Sequence, residues 1–398
     1  MVKEKNASKK FYLLALLTGL LFGALIYSNF QLKWLYKIDG QYLTFTQSRA
    51  TQSIAKLYNF NPNEDKNTLY FIIIGGSSAY HSINDKLLSS ILSKKLNKPV
   101  KVLLISYPSM CLLETFNLIS AIPKAQYGNS YIINAWSFWK MTTDPFEQTK
   151  HALSYDRSLF IGNKELINIL QKDKKLTQYI PKVYQDYPWD YDNWDDFLNN
   201  ENLPRSSTIF TTWTKYFLLD KLLKLNRSDF KHLFKDYEEV SSAEDLSKTA
   251  IEQFKNLLKQ PAMKQQIASS KINHINDFDR RYKYVMINLD KIISFNLLIF
   301  NKSAELAKSK GYEYIVLELP ISNDSYQSTN ITAFIQKFRN SIVQDLSSVK
   351  YVNYQSIPSL DNNEYAWWDL VHMTIVGKKI YMEKLASFLE NISSKEKV

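Results

Sequence analysis

The chain has one cysteine among its 398 residues, Cys111, so no disulfide bond can form within a molecule. It has no long block of like charges, no zinc-ligand spacing and no aromatic–basic signature of an RNA-binding module. These absences argue against a disulfide-stapled domain and against a nucleic-acid-binding protein. The formal net charge of +11 is instead spread along the chain, which suits contact with an anionic membrane or an acidic polymer.

Internal repeats and low-complexity linkers are also absent from the sequence. A hydrophobic content of 45% with 14% aromatic residues excludes a largely disordered chain. The length suits one large domain or two ordinary ones, with room for a sizeable core.

The N-terminal segment has the features of a membrane anchor. Residues 11–27 (FYLLALLTGLLFGALIY) contain no charged side chain and suit a short membrane span, which Phe30 and Trp34 extend to the interface. The lysines that precede this run are expected to stay in the cytoplasm (Lys3, Lys5, Lys9 and Lys10). We therefore expect an uncleaved, single-pass transmembrane helix with the rest of the chain outside the cytoplasm. The alternative is a cleaved signal peptide, but no small-x-small cleavage pattern closes the apolar run.

Alternating strands and helices follow from residue 66 onward. TLYFIIIGG (68–76) is apolar without alternation, which is typical of a strand buried on both faces of a parallel sheet. Helical spacing of apolar residues follows over 83–96, and strand, helix and strand patterns then succeed one another over 100–108, 112–125 and 130–138. This order predicts an α/β fold with a doubly wound, flavodoxin-like parallel sheet.

The alternation of strands and helices stops at about residue 145. Residues 146–289 are rich in charged and aromatic side chains and are predicted to form a helical insertion or cap. The pattern resumes with a long helix over 282–311, closed by Gly311, and ends with strands at 312–320 and 349–356 and a helix at 378–392. The predicted organisation is an anchor (1–34), a juxtamembrane stalk (35–65), a first core segment (66–145), the insertion (146–289) and a second core segment (290–398).

Two glycines and two serines end the first predicted strand, in the order Gly75-Gly76-Ser77-Ser78. Ligands of parallel α/β sheets bind beyond the carboxyl ends of the strands. Glycines let the backbone turn tightly there, and the N-terminus of the following helix offers N–H groups to a developing oxyanion. A serine at this point is well placed as a nucleophile. The simpler interpretation of the stretch alone is a turn that caps a helix.

Asp369 and His372 stand just before the last predicted helix, which Thr374 can cap. In a turn, this spacing brings a carboxylate to an imidazole, which fixes the tautomer and leaves the other ring nitrogen for a serine. An Asp-x-x-His pair is common by chance, and surface or capping roles usually explain it. Here the pair follows the serines in the chain and comes after a predicted strand, so the sheet can bring the two stretches together.

Together, GGSSAY (75–80) and DLVHMTIVG (369–377) resemble the motifs of the SGNH (GDSL-like) hydrolase superfamily, over residues 66–145 and 290–392. The resemblance implies a serine nucleophile after the first strand. Counting from the strand end makes this serine Ser77, with Ser78 as the alternative. It also implies that His372 is the base and that Asp369 orients it. No cofactor and no metal ion is expected for this chemistry.

The family also uses two oxyanion donors, the backbone N–H of a glycine after the second strand and an asparagine side chain after the third. By position, Ser109 replaces the glycine and still has an N–H to donate. Asn134 in IINAWSF is the candidate for the asparagine, although no Gly-x-Asn-Asp motif stands there and Trp136 is an alternative occupant of that position. A buried structural role for Asn134 stays equally open.

Single-span extracytoplasmic members of this superfamily work beside membrane-bound O-acyltransferases, and this chain resembles them in architecture. The D-alanine transfer proteins of teichoic-acid modification and the acetylation proteins of exopolysaccharides are examples. The resemblance implies an esterase or O-acyltransferase that acts on acyl esters of a cell-surface glycan or glycolipid. The alternative is a non-catalytic scaffold that binds a membrane-bound O-acyltransferase.

Other candidate sites in the sequence are weaker. DYPWDYDNWDDF (186–197) interleaves aromatic and acidic residues as a sugar-stacking platform does, although a packing loop explains it better. It lacks the glycine and the final glutamate of a calcium loop. His81 follows the serines but suits an exposed helix position, and three further histidines are too scattered to predict a metal site (His151, His232 and His274).

Overall fold

The computed structural model describes residues 60–152, 172–179, 246–345, 350–352 and 357–394, together with a few isolated positions. The chain divides into two compact units, one of residues 1–48 with 205–237 and one of residues 49–204 with 238–398. Apart from Thr18 and Gly19, the first unit lies outside the described residues. The described fold is therefore that of the second unit.

Five parallel strands form the central sheet, in the order β2-β1-β3-β4-β5. The strands are β1 (Leu69–Gly75), β2 (Val100–Ser106), β3 (Ser130–Trp136), β4 (Glu313–Glu318) and β5 (Lys350–Val352). The predicted α/β class is confirmed, and the strand order is the one found in flavodoxin-like sheets. Every residue of β1 and β3 is buried, which explains why neither strand alternates apolar and polar side chains.

Helices surround the sheet. They are α1 (Ser77–Ser82), α2 (Asp85–Leu96), α3 (Leu112–Ala121), α4 (Pro145–Ala152), α5 (Lys174–Thr177), α6 (Lys248–Leu258), α7 (Pro261–Ile287), α8 (Leu289–Ser309), α9 (Thr329–Asp345), α10 (Pro358–Asp361) and α11 (Ile375–Ser394). Two 3₁₀ helices, Phe138–Thr142 and Asn323–Gln327, follow β3 and β4.

The apolar core lies in two layers, one on each face of the sheet. On one face, alternate residues of the strands pack against α2 and α11 in a continuous cluster. On the other face, α8 packs against β4 and α3. There Trp136 of β3 contacts Phe300 of α8 and Phe338 of α9. The sheet is thus covered by helices on both sides, as its continuously apolar strands require.

The long helix predicted over 282–311 is two helices in the structure. Helix α7 begins at Pro261 and ends at Ile287, and α8 begins at Leu289. Asn288 joins them with φ −100° and ψ 6°, which lies outside the helical region. Apolar side chains continue on both sides of Asn288, so the sequence pattern gave no sign of the break. The described parts of the predicted insertion are otherwise helical.

The two N-terminal predictions fall mostly outside the described residues. Among the residues that the structure describes, no helix is both long and apolar enough to cross a membrane. The span predicted at 11–27 is described only at Thr18 and Gly19. In the predicted stalk, Ser53 donates a 2.9 Å hydrogen bond to the carbonyl oxygen of Ser106, and Leu57 is buried. These positions belong to the same compact unit as the sheet.

Candidate active site

Ser77 is the first residue of α1, and a single residue, Gly76, separates it from the end of β1 at Gly75. Gly75 lies opposite Ser106 of β2 and Ala135 of β3, so the carboxyl ends of three strands meet at this edge. Gly76 is the N-cap residue, with φ −83° and ψ −160°. The structure therefore places Ser77 at the edge where parallel sheets bind their ligands.

Gly75, the last residue of β1, and Gly76, which follows it, tolerate an added methyl group differently. A Cβ on Gly75 would lie 2.5 Å from the carbonyl oxygen of Ala135 and 2.6 Å from the Cβ of Ala79, whereas a Cβ on Gly76 meets nothing closer than 3.7 Å. We expect Gly75→Ala to lower the free energy of unfolding by about 1–3 kcal/mol, because neither neighbour can move away cheaply. Urea unfolding measures this, with Gly76→Ala as the matched control. Equal losses in the two variants would contradict the close contact at Gly75.

The loop before α11 holds Asp369 and His372 in a fixed geometry. Oδ1 of Asp369 accepts 2.8 Å hydrogen bonds from the backbone N–H groups of Val371 and His372. Thr374 accepts hydrogen bonds from the first N–H groups of α11, so it caps the helix as its position in the sequence predicted. Backbone hydrogen bonds and a helix cap thus hold the carboxylate and the imidazole before any ligand binds.

Ser77, His372 and Asp369 form one hydrogen-bonded chain. Nε2 of His372 lies 2.8 Å from Oγ of Ser77, and Nδ1 of His372 lies 2.7 Å from Oδ2 of Asp369. Ser78, the alternative nucleophile, is buried and donates its hydroxyl proton to Oγ of Ser137 over 3.1 Å. The imidazole is therefore directed at the first serine rather than the second.

Asp369 is buried, with 7% of its surface exposed. Burial alone would raise the pKa of its carboxyl, but the hydrogen bond and the charge of His372 lower it, as do the N–H of Val371 and the nearby His274. The net pKa of Asp369 lies below its usual value of 3.8. The carboxylate is thus charged near neutral pH and holds the proton of His372 on Nδ1, which leaves Nε2 free to accept the proton of Ser77.

A cavity of about 550 Å³ opens beside this chain of hydrogen bonds. Ser77 and His372 are among the residues that line it. The other lining residues come from the ends of β2 and β3, from the 3₁₀ helix after β3, from α4 and from α7, and include Ser109, Ser137, Trp139, Lys140, His274 and Arg281. The insertion helix α7 therefore forms part of the wall, together with the α/β core.

Ser109 lies at the cavity, after the end of β2, where the resemblance implies a glycine. Its φ is +60°, in the left-handed region that glycine adopts more readily than other residues. The backbone at Ser109 thus has a conformation that favours glycine, although a serine stands there. The structure brings Ser109 to the same cavity as Ser77 and His372.

Asn134, the predicted side-chain oxyanion donor, does not line the cavity. It is fully buried within β3, two residues before the strand ends, and its amide donates a 2.9 Å hydrogen bond to the hydroxyl of Tyr314 in β4. Side chains alternate along a strand, so Asn134 faces the layer opposite to that of Ile133 and Ala135. Of the two roles that the sequence left open for Asn134, this geometry fits the structural one and not an oxyanion donor at the cavity.

The first residue after β3 is Ser137, which the sequence reasoning did not single out. Its side chain lines the cavity and accepts the hydrogen bond from Ser78, so its own hydroxyl proton is left to donate elsewhere. The sequence alone does not mark Ser137, because large apolar residues stand on both sides of it (Trp136 and Phe138). The end of β3 at Trp136 is what places Ser137 outside the strand. Ser137 is thus a hydroxyl donor at the cavity, at a position that the sequence assigned no role.

Lys140 lines the cavity, and its pKa is lower than that of an ordinary lysine. Desolvation on burial lowers its pKa to about 8, although the charge of the buried Glu114 acts in the opposite direction. Its amine contacts the hydroxyl of Thr115 at 3.5 Å, a weak hydrogen bond. Lys140 therefore loses its proton more readily than a lysine in water does.

Two further histidines, His81 and His274, have rings close to that of His372. The sequence assigned neither of them a role. The ring of His81 packs edge-on against that of His372, with centroids 4.9 Å apart. The ring of His274, on α7, lies 6.4 Å from that of His372, and its Nδ1 lies 3.7 Å from Oδ1 of Asp369. No periodicity or spacing in the sequence links His274 to the Asp-x-x-His motif, so only the packing of α7 reveals it.

A scan against protein-family models and a search of curated proteins found no match to this chain. Within the described residues, no three or more His, Cys, Asp or Glu side chains are arranged to hold a metal ion. The interpretation of the site therefore depends on the chemistry of its own side chains.

Proposed function

We propose that this protein is a Ser-His-Asp enzyme of the SGNH type that forms and resolves an acyl-serine ester on Ser77. The observation that carries the proposal is the continuous hydrogen-bonded chain from Ser77 through His372 to the buried Asp369, at the edge of a cavity. A serine hydroxyl becomes a nucleophile when an adjacent base takes its proton and a third group orients that base.

In the first step, Oγ of Ser77 attacks the carbonyl carbon of an ester while Nε2 of His372 takes the hydroxyl proton. The ester C–O bond then breaks, and the departing alkoxide takes this proton from His372. In the second step, the oxygen of water or of a sugar hydroxyl attacks the acyl-serine, and its proton passes through His372 to Ser77 as the serine is released. Asp369 stabilises the imidazolium in both steps and stays ionised.

The oxyanion of each tetrahedral intermediate needs hydrogen-bond donors, each worth about 10²–10³-fold in rate. We assign this role to the backbone N–H groups of Ser77 and Ser109, as the resemblance implies. The hydroxyl of Ser137 takes the place of the Asn134 amide as the side-chain donor. This replacement is supported by the cavity position of Ser137 and by the hydrogen bond from Asn134 to Tyr314.

The substrate proposed from the resemblance is an acyl ester of a cell-surface glycan or glycolipid, outside the cytoplasm. The positively flanked apolar segment at 11–27 supports a single-pass anchor, and a membrane-bound O-acyltransferase is the partner that such architecture suits. The acyl acceptor in this proposal is either water, for an esterase, or a glycan hydroxyl, for a transferase.

Covalent labelling tests the proposal directly. A fluorophosphonate probe is expected to label the full-length protein at Ser77, because His372 activates this hydroxyl. Ser77→Ala should abolish the labelling. Ser78→Ala is the matched control and should keep it, since the Ser78 hydroxyl is directed at Ser137. Gel fluorescence and peptide mass spectrometry measure the label and its position.

Two outcomes would count against this assignment. Labelling that persists in Ser77→Ala and disappears in Ser78→Ala would move the nucleophile to the neighbouring residue. No labelling of the folded wild-type protein would argue for the alternative, a scaffold without catalysis of its own.

A further inference from the structure

His274 is a second histidine that lies near Asp369 and lines the cavity. It lies on α7, contacts the ring of Trp139 at 5.4 Å between centroids and lines the same cavity as Ser77. Its side chain is 31% exposed. The residue thus lines the cavity while its Nδ1 lies near the carboxylate of Asp369.

The Nδ1 atom of His274 is buried and makes no hydrogen bond within the described part of the chain. It lies 3.7 Å from Oδ1 of Asp369, which is within ion-pair range but too long for a hydrogen bond. A lone pair on Nδ1 would be repelled by the carboxylate, so the neutral ring carries its proton on Nδ1. Nε2 is then the acceptor nitrogen of the ring.

A hydrogen-bond acceptor at this point can bind the acyl acceptor, water or an alcohol, but not the acyl group of the ester. The carbonyl and ester oxygens of an acyl group are acceptors only and give no proton to Nε2 of His274. Water and alcohols have a proton to donate. The ring centroids of His274 and His372 are 6.4 Å apart and both residues line the same cavity, so a small acceptor bound there is close to both rings.

We propose that His274 binds the acyl acceptor, taking a hydrogen bond from the second proton of water or from the hydroxyl group next to the reacting one. The reacting hydroxyl gives its proton to His372, as in the second step above, so the atoms of that step are unchanged. This inference rests on the proposed function of the site. In this proposal α7, which belongs to the insertion, recognises the acyl acceptor. The acylation of Ser77 depends on residues of the α/β core.

The test separates the two steps with p-nitrophenyl acetate as the probe. Rapid quenching and intact-protein mass spectrometry of the full-length chain give the rates at which Ser77 gains and loses the acetyl group. His274→Phe keeps a ring against Trp139 but removes both nitrogens. We expect it to slow the loss of acetyl about tenfold, the effect of one hydrogen bond, and to change acylation less than about twofold.

His81→Phe is the matched exchange, since His81 also packs on His372 but does not line the cavity. It is expected to change both rates by the same factor. His274→Gln, which retains an acceptor oxygen, should recover part of the loss rate. If His274→Phe changed the gain and the loss of acetyl equally, or changed neither, the inference on His274 would be wrong. Acetylation of Ser77 in the same experiment would still support the proposed function. Absence of acetyl-Ser77 in the wild type would overturn both.

Discussion

Replacing Asp369 with asparagine is expected to lower kcat for ester hydrolysis by about 10⁴-fold. The carboxylate receives two backbone N–H groups on one oxygen and Nδ1 of His372 on the other. An amide in its place can donate a proton toward Nδ1, which turns the imidazole to the tautomer that cannot accept the proton of Ser77. The fold should persist, since asparagine has nearly the same shape. Steady-state hydrolysis of p-nitrophenyl acetate measures the loss, and circular dichroism checks the fold.

Asp290→Asn is the control for this change, because Asp290 is an exposed aspartate paired with Lys337 at 3.2 Å. Its kcat should match that of the wild type. If Asp369→Asn hydrolysed the ester within tenfold of the wild-type rate while remaining folded, Asp369 would not be the group that orients His372. The lowered pKa of Asp369 keeps its carboxylate ionised near neutral pH. An assay at neutral pH therefore compares a charged carboxylate in the wild type with a neutral amide in the variant.

Replacing Arg339 with alanine is expected to lower the free energy of unfolding by about 3–5 kcal/mol. Glu318, at the end of β4, is 3% exposed and accepts three hydrogen-bond contacts from the Arg339 guanidinium, at 3.0, 3.2 and 2.5 Å. Removing the guanidinium leaves a buried carboxylate without its counter-charge. Since Glu318 lies opposite Trp136, which lines the cavity, the same change should loosen one cavity wall. Urea unfolding followed by tryptophan fluorescence measures the stability.

Lys337→Ala is the matched control, two residues earlier on α9. Lys337 pairs with Asp290, but both side chains are largely exposed, so the change should cost less than about 1 kcal/mol. A loss in Arg339→Ala no greater than that in Lys337→Ala would show that burial adds nothing to the Glu318–Arg339 pair.

The local sequence determined the framework of the fold and the two ends of the triad. Continuous apolar runs predicted β1 to β4 within about two residues at each end, because a strand buried on both faces cannot alternate. The glycine and serine residues after β1 and the Asp-x-x-His turn before α11 predicted Ser77, Asp369 and His372 as partners, since both motifs make their geometry with neighbouring residues. The resemblance to a known superfamily supplied the expectation of acyl chemistry.

Only the tertiary structure decided the features that depend on which face of an element meets which neighbour. Asn134 and Ser137 lie three residues apart, but the end of β3 at Trp136 buries the first against β4 and leaves the second at the cavity. The direction of α1 likewise decides that the Ser77 hydroxyl meets His372 and that the Ser78 hydroxyl meets Ser137. His274 lies near Asp369 because α7 lines the cavity that also contains Ser77 and His372. Local periodicity carries no information on such contacts, because their geometry arises from packing between residues far apart in the chain.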